Sequence, residues 1–238
     1  MTITAMKVKH TLLEKSSPYH PCNRRKETVR YANPEFQVQA NHLLGILSKN
    51  YPVSVLQNDS LVVAIVRGAA MNQAMKSDNG EWVMSGEEWG VWTGLKRRRL
   101  DMAKKILMTT GELTVTFKDF PKNAYYQCFY PQGDRKEFSR FYYHSDLSHI
   151  LGHDATALFG WLLERDKQFE AKGYFFHLKI ADIQQSLGLS RYQVDQARKK
   201  LIEHDLLKER FWGIPAVREF RLRLDGLRQL VSEKRAPK

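Results

Sequence analysis

Cysteine is nearly absent from this chain. Cys22 and Cys128 are its only two, they stand far apart, and no CxxC pair occurs. This excludes a disulfide framework and a Cys-based zinc module, and makes a reducing cytoplasm the expected compartment. Long apolar runs are missing too. No stretch approaches the roughly 18 residues of a membrane span, and the opening MTITAMKVKHTLLEKSS has neither an apolar h-region nor a small-residue cleavage pattern. Neither membrane insertion nor secretion is expected. Catalytic signatures are equally scarce. The chain has no GxxxxGK[ST] loop, no HExxH, no GxSxG elbow, no paired catalytic carboxylates, and no His-hydrophobic-His pair beside a candidate tyrosine. His144, His149 and His153 invite a metal reading, since the last two stand four apart. Gly152 breaks the helix between them, however, and no metal site is expected. The chain is therefore read as non-enzymatic and without a cofactor. Acidic residues are also in deficit: 26 Asp+Glu face 38 Lys+Arg, a formal charge of +12 over 238 residues. Such an excess selects polyanionic partners, nucleic acid ahead of an anionic membrane.

What is present is a 42% hydrophobic, 11% aromatic chain, the composition of a folded protein. Its most informative stretch is IADIQQSLGLSRYQVDQARKKLIEHDLLK, from Ile180 to Lys208. Ile180, Ile183 and Leu187 share one face of a short helix. Gly188 then supplies the positive φ of a tight turn, and Ser190 caps a second helix. That helix should bury Val194, Ala197, Leu201 and Ile202. It should turn Arg191, Tyr192, Gln193, Gln196, Lys199 and Lys200 outward. A strand begins at Leu206-Leu207, Phe211 to Pro215 form a hairpin tip, and Val217 to Leu224 return in alternation with Arg218, Arg221 and Arg223 outward. The tail after Leu224 reads as a charged helix end.

A related pattern lies earlier. A helix is expected from Pro34 to about Lys49, and a buried helix from Leu61 to Met75, apolar nearly all round and capped by Asp59 or Ser60. A short strand follows at Glu81 to Met84, then a Ser85-capped helix with Trp89 and Trp92. A helix from Lys96 to Met108 comes next, with Leu100, Ala103, Ile106 and Leu107 inward. Two strands follow, at Leu113 to Phe117 and Tyr125 to Tyr130. TGLKRRRLDMAKKILMTTGEL, from Thr93, aligns with LGLSRYQVDQARKKLIEHDLL, from Leu187, at a constant offset of 94 without a gap. Gly94, Leu95, Arg97, Asp101, Ala103 and Leu107 thus match Gly188, Leu189, Arg191, Asp195, Ala197 and Leu201. The period is too long for a solenoid and implies one duplicated domain.

A two-helix turn followed by a β-hairpin resembles the winged helix. The chain is accordingly expected to be α+β and helix-rich, with two winged-helix domains related by internal duplication. The organisation is a basic arm over 1–33, the first domain over 34–130 and an aromatic-rich connector over 131–153. The second domain covers 154–226, and a basic tail 227–238. Within the connector, Ser145 or Asp146 should cap a short helix, and Phe138, Phe141, Tyr142 and Tyr143 should pack between the domains or across a dimer interface.

A tandem pair of this kind in a basic chain resembles iteron-binding plasmid replication initiators, phage replication initiators and paired-domain transcriptional regulators. The resemblance covers roughly 34–224 and rests on architecture and helix-turn-helix spacing. It implies sequence-specific binding of double-stranded DNA at an origin, in a bacterial cytoplasm on the nucleoid, with a homodimer possible. A winged-helix repressor and a non-enzymatic interaction module such as a replisome loader are the alternatives. Lys96, Arg97, Arg98, Arg99 and Lys104 suit phosphates, which add salt-dependent affinity but little sequence information. In the second helix Ser190, Arg191, Tyr192, Gln193, Gln196, Lys199 and Lys200 are the DNA-binding candidates, joined by Arg218 from the returning strand. Gln193 and Gln196 form the expected base-reading pair, with Arg191 reading an adjacent base or gripping a phosphate.

Overall fold

Tyr51, Val53 and Val55 alternate with Pro52 and Ser54, and this period of two makes Asn50–Leu56 a strand, β1, with those three side chains buried. A computed structural model of the chain describes residues 35–47, 49–118, 123–130, 135–168 and 174–235. The arm over 1–33 with Cys22, the helix start at Asn33 and Pro34, the turn residues 119–122 and the connector's opening 131–134 lie outside them. The helix expected to reach Lys49 is α1, Glu35–Gly45. It gives way to β1 because the 3.6-residue pattern ends at Leu47.

The first half continues with α2 (Leu61–Ala74), β2 (Glu81–Val83), α3 (Gly86–Thr93), α4 (Arg97–Thr109), β3 (Leu113–Lys118) and β4 (Asn123–Cys128). After it come β5 (Glu137–His144) and α5 (Ser145–Leu151). The second half holds α6 (His153–Gln168), β6 (Phe176–His177), α7 (Ile180–Leu187), α8 (Arg191–Glu203), β7 (Leu207–Trp212) and β8 (Val217–Leu222), and α9 (Asp225–Arg235) follows. The fold is α+β, with small antiparallel sheets ordered β1-β5, β2-β4-β3 and β6-β8-β7.

At an offset of 94 residues, α3, α4 and the following hairpin of the first half coincide in length with α7, α8 and the hairpin of the second. α3 and α7 each hold 8 residues, α4 and α8 each 13, and the hairpin strands 6. Leu113 pairs with Cys128 in one hairpin, as Leu207 pairs with Leu222 in the other. Gly94 and Gly188 end α3 and α7 with φ of 66° and 63°, the left-handed region a side chain disfavours. Matched positions are buried alike: Trp82 and Phe176, Leu100 and Val194, Ala103 and Ala197, Leu107 and Leu201, Tyr126 and Phe220.

The segment expected as a connector is structural. β5 pairs antiparallel with β1 along its length, burying Phe141 and Tyr143, so the aromatic cluster between the halves completes a sheet. His144 precedes α5 at the N-cap, and Ser145 and Asp146 lie in its first turn. α2 packs on β1 and α6 on β5. Both contacts are close: a methyl group on Gly68 would lie 2.7 Å from the Pro52 carbonyl oxygen, and one on Gly160 2.3 Å from that of Tyr142. Pro52 and Tyr142 are themselves register partners.

Three further expectations are corrected. Ile106 and Ile202 are 42% and 44% exposed, because each sits at the edge of its helix's buried face. Residues 227–235, read as a tail, belong to α9, whose Leu227, Leu230 and Val231 are buried. Arg228 of α9 reaches back to Gln39 of α1 at 2.7 Å. The described residues form one compact unit, with β5 and α9 packed into it.

Inside the first half four charges close a ring. Arg67 on α2 donates to both oxygens of Asp59 and to one of Glu112, and Arg135 donates to the other Glu112 oxygen and shares Asp59 Oδ1 with Arg67. Arg67, Asp59 and Glu112 are each 3% exposed, and full pairing is what makes their burial tolerable. Beside the ring, burial pushes the Cys128 thiol up to about 11, so it is protonated and unreactive at neutral pH.

Candidate nucleic-acid interface

α8 starts at a reciprocal cap. The Ser190 hydroxyl accepts from the Gln193 backbone N–H, and the Gln193 side-chain oxygen accepts from the Ser190 N–H at 3.0 Å. Val194, Ala197, Arg198 and Leu201 form the buried face. At about 100° per residue, the positions opposite it are Tyr192, Gln196, Lys199 and Glu203. Tyr192 is 72% exposed, and Gln196 and Lys199 are exposed with it. Gln193 does not share that stripe, because both ends of its amide are committed, to the cap and to Asp154. Gln193 and Gln196, expected to share a face, therefore part company, and the residue beside Gln196 on the outward stripe is Tyr192. Arg191 is exposed on one flank, 4.0 Å from Asp195, and Lys200 on the other.

α4 begins without a side-chain cap at Lys96, and Arg97, Arg98 and Arg99 crowd its first turn, all exposed. Arg97 lies 3.8 Å from Asp101, repeating the Arg191–Asp195 pair one half earlier. Lys104 is half-buried against two aromatic rings. Its ammonium sits 5.3 Å from the Trp89 ring centre and 5.4 Å from that of Tyr126, and burial lowers its pKa. It works as a cation–π contact within the domain. The equivalent Arg198 is likewise turned inward, onto Glu209 and Asp195.

The first turns of the two helices meet at the start of α6. Arg99 Nη1 lies 2.6 Å from His153 Nε2, and Asp154 accepts from Gln193 Nε2 at 3.4 Å. Nε2 of His153 also lies 3.2 Å from Asp154 Oδ1, so the ring sits between a guanidinium and a carboxylate. Burial, with Arg99 adding to it against the opposing pull of Asp154, lowers the His153 pKa. The cationic turn of α4 and the capped turn of α8 are thus fixed relative to one another through His153 and Asp154.

Arg218 projects from β8 onto the Phe211 ring, 4.9 Å from its centre, and lies 3.7 Å from Glu209. It belongs to the hairpin surface, away from the α8 stripe. Lys208 and Arg210 on β7 are exposed cations of the same hairpin. They flank Glu209 on a strand, a pattern present in the alternation. His149 lies in the last turn of α5, where its Nε2 is 3.1 Å from the Val91 carbonyl oxygen, and His153 begins α6. Among the described residues no cluster of three or more His, Cys, Asp or Glu side chains could hold a metal ion, and no helix is long and apolar enough to cross a membrane. Set beside known proteins, the chain matches no family model and no curated sequence.

Proposed function

We propose that this chain is a non-enzymatic, sequence-specific double-stranded DNA-binding protein made of two winged helices that arose by duplication. α8 reads base edges in a major groove, and the first turn of α4 grips phosphates. The observation that carries the reading is the α8 stripe: Tyr192, Gln196 and Lys199 point away from the core behind a capped helix N-terminus, the end that enters a groove in helix-turn-helix proteins. The net charge of +12 and the open cluster of Lys96, Arg97, Arg98 and Arg99 support it. The recurring strand order, in which the first strand pairs with the last, supports two winged helices, and the equal element lengths and registers support duplication. A replication initiator of plasmid or phage type, bound at its origin in a bacterial cytoplasm, is the role this architecture suits. A repressor would use the same contacts. The exposed Met102 and Ile106 of α4 favour a second reading for that helix alone, contact with a protein such as a replisome component or a second copy of the chain.

The test is the salt dependence of binding to a random-sequence duplex, followed by fluorescence anisotropy. Six or more phosphate contacts should cost about 10³ or more in affinity between roughly 50 and 200 mM salt. Absent or salt-independent binding rejects the proposal. Direct repeats beside the gene would favour the initiator, a divergent promoter the repressor.

A further inference from the structure

The end of the β7–β8 hairpin is built from residues that hairpin tips in water avoid. Residues 211–217 read Phe-Trp-Gly-Ile-Pro-Ala-Val, with no polar side chain among them. Trp212 and Val217 are the last register pair, and 213–216 make the turn. Ile214 is 102% exposed, so its side chain touches nothing in the protein, and Phe211 and Trp212 are 63% and 58% exposed. Cations surround this apolar point. Arg210 stacks 5.1 Å from the Trp212 ring centre and Arg218 stacks on Phe211, while Lys208 and Arg221 face each other further down the strands. Glu219 pairs with Arg210 at 2.7 Å and Glu209 lies 3.7 Å from Arg218, so along β7 and β8 four cations stand against two carboxylates.

We infer that the Ile214 tip is a wedge that enters the minor groove of duplex DNA, partly unstacks a base step and kinks the helix, with the flanking arginines held in the groove's negative potential. The inference rests on the proposed DNA binding and specifies what its wing does. An aliphatic side chain on an arginine-flanked β-arm is what such unstacking requires. A six-residue strand reaches about 20 Å, enough to pass from a major-groove helix to the neighbouring minor groove. Other occupants fit less well. A stable protein interface covers roughly 800 Å² on each partner, far more than one turn offers. A lipid surface would need apolar residues on the adjoining helix, and the α8 stripe is Tyr192, Gln196, Lys199 and Glu203.

The experiment uses the full chain and Ile214→Ser, a change at a side chain without protein contacts. A random-sequence duplex of roughly 100 bp, shorter than the ~150 bp persistence length, is circularised by ligase with each protein, and affinity is measured on the same fragment. Wild type should raise the yield of circles by about tenfold or more, and the variant should lose that gain at a protein concentration where the fragment is still fully bound. Equal circularisation by the two proteins, or binding by wild type without added circles, overturns the wedge and leaves DNA binding intact. Failure of wild type to bind at all rejects the underlying reading as well. Two controls expose the other occupants: a change in sedimentation with Ile214→Ser assigns the tip to self-association, and flotation of wild type alone with phosphatidylserine vesicles assigns it to lipid. Either result overturns the proposal.

Discussion

α4 and α8 have the same length, the same preceding turn and the same buried face, yet their outward faces differ in kind. Where α8 carries Gln196 and Lys200, α4 carries Met102 and Ile106, all exposed. Where α8 opens on a capped Ser190, α4 opens on an uncapped Lys96 and three arginines. A shared scaffold fixes where the outward positions are and leaves their chemistry free. Glutamine can hydrogen-bond a base edge, whereas methionine and isoleucine offer no polar atom suited to one. The halves differ inside as well. At the places of Arg67 and Glu112 in the ion ring, the second half has Trp161 and Leu206, both buried. One half is held by paired charge where the other is held by apolar packing.

The largest effect should come from breaking that internal difference. Arg67→Ala leaves Asp59 and Glu112 buried with only Arg135 between them, and should destabilise the chain by about 3–5 kcal/mol in denaturant unfolding. Arg67→Met together with Glu112→Leu and Asp59→Asn, which removes the three buried charges and leaves only the more exposed Arg135, should recover most of that loss. If Arg67→Ala unfolds at the wild-type midpoint, the ring contributes nothing.

The outward difference should give a smaller effect, on affinity. With a target site obtained by binding selection, Gln196→Ala should weaken specific binding by roughly 1–3 kcal/mol, the scale of one bidentate base contact. Random-duplex affinity should barely move. Met102→Ala, at the matching position, should leave the selected base preferences as they were. A shift in preference from Met102→Ala with none from Gln196→Ala would reverse the roles of the two helices.

The smallest effect lies at the junction between them. Burial disfavours the charged form of His153 in the folded protein, so the unfolded chain takes up that proton more readily. The corresponding stability is present above the ordinary histidine value of about 6.5 and is lost as pH falls below it toward the depressed folded value. Thermal melts of wild type and His153→Gln at matched pH should converge as pH is lowered through this window. Parallel pH profiles would mean that His153 titrates alike in both states.

Much of this fold was legible where local chemistry dictates it. Gly94, Gly188, Ser85 and Ser190 mark helix boundaries by turn and cap, and α3, α7 and α8 lie where those residues put them. The alternation of Tyr51, Val53 and Val55 was equally present, but Pro52 interrupts it, and β1 depends on a partner beyond the entire first half. The ion ring was hidden for the same reason, its members Asp59, Arg67, Glu112 and Arg135 being brought together only by the fold. At the candidate interface the helix and its exposed cations were readable. The inward turn of Lys104 was not, since nothing local reveals the rings of Trp89 and Tyr126 beneath it. Gln193 shows a different limit: a residue three positions after a serine cap closes a capping box, and that pattern outranks its polarity.

The pairing of β1 with β5 also bears on how the chain reaches this state. Val53 and Phe141 bond across the first half, so the spine between the halves closes only after a long loop has been gathered in, a topology that slows folding. During synthesis β1 emerges well before β5, and for that interval it is an open strand edge. Proline at its third strand position, Pro52, withholds one backbone donor from any stray partner. The residue that obscures β1 in the sequence is thus also a guard against premature pairing.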